Sequence, residues 1–137
     1  MTLQNPKDVR SALKTAIETD LTDLQTVYGY MPKDFNGQSP VCTIERLPIQ
    51  LNLKTSVGFQ AYDFAVSFYA RSDGDAASGL TAADAEDVLD DLLYALCTSV
   101  LARYNGEFIQ ASDPVQMTME SGAVYQSEIH YVRISRP

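Results

Sequence analysis

The sequence predicts an α+β fold: a mostly antiparallel sheet with two helices packed on one face, in two layers, with a long β-hairpin. Three observations lead there. Two stretches, beginning at Asn5 and Thr81, carry apolar residues at helical spacing behind good start signals. Between and after them run segments in which apolar and polar residues alternate. Those segments follow one another closely, as antiparallel hairpins do, and this favours helices gathered on one side of a sheet. At 137 residues the chain suits one domain, residues 1–137.

The first helix opens with Asn5 as N-cap, Pro6 at the first helical position and Asp8 in the first turn, where the helix dipole favours an acid. Val9, Ala12, Leu13, Ala16 and Ile17 share one face. Asp20 and Asp23 would continue that face and spoil it, so the amphipathic part should end near Glu18 or Thr19, with Leu21 and Leu24 packing in a frayed or new turn. Residues 26–41 read as neither helix nor regular strand. They hold Tyr28, Tyr30 and Phe35, two prolines, Gly29, and the turn dipeptide Asn36-Gly37. A long aromatic loop is either packed by its own side chains or functional.

Residues 41–45 read as a strand. Leu47, Ile49, Leu51 and Leu53 alternate over residues 47–54, although Pro48 demotes that piece to an edge or a bulge. Residues 54–58 are a turn, expected to top a mobile hairpin. Residues 59–70 carry the strongest strand pattern. There Tyr62, Phe64, Val66 and Phe68 should face the core, and Ala61, Asp63, Ala65, Ser67 and Tyr69 a half-covered side. Residues 71–79 form a flexible loop by composition. The second helix begins at Thr81, with Asp84 completing a capping box. Ala85, Val88, Leu89, Leu92, Leu93 and Leu96 line its apolar stripe, and Asn105-Gly106 stops it after Arg103. Residues 107–111, 115–120 and 125–134 read as closing strands. In the last, Tyr125, Ile129 and Tyr131 oppose Gln126, Glu128 and His130.

Eighteen acids against ten Lys and Arg give a net charge of −8, and the pI is near 4.4. That balance argues against a phosphate-gripping surface, because nucleic-acid binders carry a basic patch. No apolar run approaches a membrane span. The first residues lack the apolar core of a signal peptide, so a reducing aqueous compartment is expected. Cys42 and Cys97 fit no metal or redox spacing, and Cys97, within an apolar helical pattern, reads as a buried reduced thiol.

Chemistry finds little purchase. Asp87 and Asp91 lie one helical turn apart and could be read as a metal or general-acid pair, but Asp84, Asp87, Asp90 and Asp91 share the outer side and read as a solvated face. Asp73 and Asp75 lack the later glutamate of a calcium loop. Nothing in the sequence places Cys42 beside His130, the only histidine, and the pair is all that thiol catalysis could draw on. Five glycines (29, 37, 58, 74 and 79) are isolated and cradle no phosphate. The expectation is no catalytic residue, no metal and no cofactor. The less bland feature is Tyr94 with Leu101. Seven residues apart, they project at the same angle on the second helix, well away from its apolar stripe. With Tyr28, Tyr30 and Phe35 of the loop they are the candidate partner-contact residues. Cover by the first helix within the domain is the competing reading of Tyr94 and Leu101.

The element order, together with the run Val27-Tyr28-Gly29-Tyr30-Met31-Pro32 and then Phe35-Asn36-Gly37-Gln38-Ser39-Pro40-Val41, resembles the tail terminator (tail-tube completion) proteins of long-tailed bacteriophages. The resemblance covers the whole layout and carries no catalytic signature. It implies a non-enzymatic virion protein of the tail and neck, assembled in the host cytoplasm. Copies would join as a hexameric ring that closes the tail tube and meets the head–tail connector (stopper) protein. DNA would pass through without specific binding, which an acidic protein suits. The alternative is a small cytoplasmic ligand-binding protein or enzyme with an apolar pocket under Tyr28, Tyr30 and Phe35.

Overall fold

The computed structural model describes residues 5–47, 62–74, 77, 80–103 and 106–134. The expected strand over residues 47–54, the turn at 54–58, the start of the strand at 59–61, Asp75 and Asn105 lie wholly or almost wholly outside the described residues.

Helix α1 spans Pro6–Asp20. Asn5 caps it, its side chain accepting from the Lys7 N–H at 2.9 Å. The stripe that buries is Val9, Leu13, Ala16 and Ile17. Asp20, expected to break that stripe, is accommodated by an ion pair: the Arg103 guanidinium donates to its Oδ1 at 2.8 Å, tying the end of α1 to residues 83 positions later. Leu21 is buried and Leu24 partly so.

Strands β1 (Thr26–Tyr28), β2 (Val41–Arg46), β3 (Tyr62–Arg71), β4 (Glu107–Ala111), β5 (Val115–Thr118) and β6 (Val124–Ile134) form one six-stranded sheet. Its order is β1-β2-β3-β6-β4, with β5 also on β6. Pairing is antiparallel except between β1 and β2. The start of the aromatic stretch is therefore a strand, against expectation. Thr26, Val27 and Tyr28 are β-branched or aromatic, and residues 29–40 supply the dozen or so residues a parallel crossover needs.

Helix α2 begins with Ala82–Ala95, capped as expected. Thr81 Oγ1 accepts from the Asp84 N–H at 3.2 Å, and Asp84 Oδ2 accepts from the Thr81 N–H at 3.0 Å. The helix then makes a π turn over Leu96–Val100 and ends in an α turn, Leu101–Arg103. Gly106 closes this end by donating its N–H to the Leu101 carbonyl at 2.7 Å. A Cβ added at Gly106 would lie 2.6 Å from Leu101 Cδ2 and 3.1 Å from Leu101 Cα. Gly106→Ala should therefore destabilise by about 1–3 kcal/mol, the range for overpacking. Urea unfolding checks this.

Two cores result, one on each face of the sheet. The larger joins α1 and α2 to Cys42, Ile44, Phe64, Val66, Phe68, Val132 and Ile134. Tyr62, Phe64, Val66 and Phe68 all face it, as the alternation on β3 predicts. The smaller lies at one end of the opposite face, where Phe35 packs with Val41, Tyr69, Met119 and Tyr125. Tyr69 and Ser67, expected on a half-covered side, are buried, Tyr69 because Phe35 and Met31 of the aromatic loop pack on it.

Candidate interaction surface

Residues 29–40 are held down by hydrogen bonds from β1, from β6 and from the turn before β6. Gln38 is the anchor: its Oε1 accepts from Thr26 Oγ1 at 2.6 Å and from the Tyr28 hydroxyl at 3.2 Å. Its carbonyl accepts from the Tyr125 hydroxyl at 2.7 Å. Asp34 accepts from the Asn36 N–H at 2.8 Å and from the Ser121 N–H at 2.7 Å, and these bonds hold its carboxyl below the usual carboxylate range. Asn36 and Gly37 make the turn with positive φ, 54° and 75°.

Five residues were the candidate contact set, and the structure divides them. Phe35 is fully buried, its ring 4.8 Å from Tyr69, 5.1 Å from Tyr125 and 5.9 Å from Tyr28. It is a core residue and no surface for a partner. Tyr28 is half-buried against it. Tyr30 stays 62 % exposed, with Met31 beside it.

On α2 the expected Tyr94–Leu101 pair is split. Tyr94 is 67 % exposed and Leu101 only 3 %. The π turn between them is the cause. An i→i+5 turn accommodates one extra residue, so the helix after it is rotated by about one residue, roughly 100°, relative to an unbroken α-helix. Leu101 is swung off the Tyr94 face and into the larger core. Asp87, Asp90 and Asp91 are exposed beside Tyr94.

Three further exposed apolar residues were missed: Phe108, Ile109 and Val115, on β4 and β5 at one margin of the sheet. A signal was available for two of them. Phe108 and Ile109 are adjacent, so a regular strand cannot turn both to one core. In fact the register shifts between Phe108 and Gln110, and all five residues of β4 are exposed.

Reactive groups are dispersed. Cys42 is fully buried and burial pushes its thiol up, which removes it as a nucleophile. Cys97, expected buried, is only partly covered. His130 is not on a polar side: it is fully buried and shares its face of β6 with Val132 and Ile134. Cys42 and His130 lie on the same sheet face, but β3 separates their strands, a gap of roughly 9–10 Å. Among the described residues no three His, Cys, Asp or Glu side chains gather to hold a metal ion. An open polar depression of about 470 Å³ borders Asp34, Asn36, Arg71, Asp73 and Ser121. Its carboxylates are already engaged, Asp73 with the Arg71 guanidinium at 3.0 Å and the Val124 N–H at 3.2 Å. No described helix is long and apolar enough to cross a membrane.

The chain matches no protein-family model and no curated protein.

Proposed function

We propose that this chain is a structural subunit of a bacteriophage tail, a ring former that closes the tail tube and joins it to the head connector. The observation that carries the reading is the placement of exposed apolar groups. Tyr94 stands on the helix layer, Tyr30 and Met31 on the loop beside β1, and Phe108, Ile109 and Val115 on the opposite margin along β4 and β5. A cyclic contact is heterologous, so each subunit must carry two unlike patches. β1 and β4 end the described strand order, so the loop and β4 patches lie at its two ends.

The rival reading, an apolar pocket beneath the aromatic loop, is disfavoured by packing. The Phe35 ring fills the space that a ligand would take, in contact with three tyrosines. The net charge of −8 suits a wall past which DNA slides without being held.

The test is electron microscopy of the protein added to tail tubes that lack a terminator. The expected result is a ring of copies at one end of each tube and the capacity of those tubes to join heads. Tubes that remain bare, with the protein folded and in excess, would refute the reading.

A further inference from the structure

His130 is fully buried in β6, yet one of its two ring nitrogens has no hydrogen-bond partner. Its Nε2 lies 2.7 Å from Glu128 Oε1, and its Nδ1 is buried and unsatisfied. A carboxylate only accepts, so in the neutral ring Nε2 carries the proton and Nδ1 is the bare acceptor. A second proton would have to sit on Nδ1, which makes no hydrogen bond in the closed arrangement.

The surroundings make that costly. The imidazole lies between the rings of Phe68, 5.2 Å away on β3, and Phe108, 6.1 Å away on β4. Val66 is its ladder partner on one side and Ala111 on the other. The residues that α2 buries, Ala85, Leu89 and Leu92, are apolar. Among the described residues Glu128, on the same strand, is the charged side chain bonded to it. Burial holds the imidazole below its ordinary value, and the Glu128 carboxylate pulls the other way more weakly, as does the Val66 backbone.

The covering elements differ in strength. β3 is central, paired on both sides over its length. Among the described strands β4 lies at one end of the sheet, exposed at all five residues, bulged at Ile109 and paired with β6. The cheapest route by which a charged imidazole reaches water is for β4 and its Phe108 ring to lift away.

We propose that His130 is a proton-operated latch beside β4: while the ring is neutral β4 stays seated, and its protonation releases β4 from β6. The release would open the side of β6 next to His130 and Val132 and free the exposed Phe108 margin to rearrange. This property belongs to the fold itself and stands apart from the ring reading.

The sign follows from the depressed value. The closed strand is favoured above the ordinary imidazole value of about 6.5 and loses that advantage as pH falls below it. At pH 5.5 a ring free to titrate in the open state favours opening by up to about tenfold. Amide exchange measured at pH 7.5 and 5.5, corrected for intrinsic rates, should show the protection of residues 107–111 falling by several-fold to about tenfold. Protection in β3 should hold. His130→Phe should abolish the pH dependence of β4, and His130→Gln serves the same purpose if the phenylalanine variant does not fold. The ring's own titration in the wild-type protein gives an independent reading and should lie below about 6.5. Unchanged β4 protection in the wild type, an equal fall in both variants, or a ring that titrates above 6.5 would each overturn the latch.

Discussion

Phe64→Ala is expected to cost about 3–5 kcal/mol, the range for truncating a buried phenylalanine. Phe64 is fully buried in the larger core, on β3 between β2 and β6. Across the ladder it faces Val132 on one side and Arg46 on the other. Both helices press on the same face. A cavity at this point has sheet on both flanks and helices above, so little can move in to fill it, and the cost should sit at the upper end of what collapse would allow. Domains of this size are stable by about 5–15 kcal/mol, so the variant should lose a large share of that and unfold at markedly lower urea with an unchanged slope. A cost below about 1 kcal/mol would mean that β3 presents its other face to the helices.

What could be read from the residues, and what could not, follows from how local each signal is. The start of α1 at Asn5 and Pro6, the Thr81–Asp84 capping box and the end of α2 at Gly106 are local, and each is found where the sequence implies. The face of β3 that carries Phe64 is equally local, because alternation on one strand needs no knowledge of its neighbours. The candidate contact set depended on longer-range facts. Placing Leu101 on the Tyr94 face requires an unbroken 100° rotation through residues 96–100, and no residue in Leu96-Cys97-Thr98-Ser99-Val100 announces a π turn. Phe35 is indistinguishable from Tyr28 and Tyr30 by loop content, which cannot say which aromatic meets Tyr69 and Tyr125. Alternation with Tyr125 and Tyr131 puts His130 on the polar side of β6. β6 in fact serves two cores, with Tyr125 in the smaller one and Val132 and Ile134 in the larger. A strand covered on both faces at different ends defeats a single alternation.

Tyr94→Asp combined with Tyr30→Asp should leave the subunit folded and abolish its attachment to tails. Both side chains are mostly exposed, 67 % and 62 %, and neither belongs to a core. Surface substitutions of this kind change stability by about 0.5 kcal/mol or less, so circular dichroism and the urea midpoint should match the wild type. In a ring the same groups would be desolvated. Each large side chain contributes roughly 1.5–3 kcal/mol when fully buried, and a carboxylate in its place adds the cost of burying an unpaired charge. Asp87, Asp90 and Asp91 already crowd the exposed side of α2 near Tyr94, so a further acid there also meets like-charge repulsion. A closed ring repeats every contact around its circumference, so a loss that a single interface could tolerate is multiplied before the ring can close. Replacement by phenylalanine at both positions keeps the apolar area and should preserve attachment, which separates loss of contact from loss of the hydroxyls. If the double aspartate variant still terminates tails, the subunit contact does not run through α2 and the loop. The margin formed by Phe108, Ile109 and Val115 is then the surface to mutate, and Ile109→Asp, at an exposed bulge position, is the substitution that would break it with least damage to the fold.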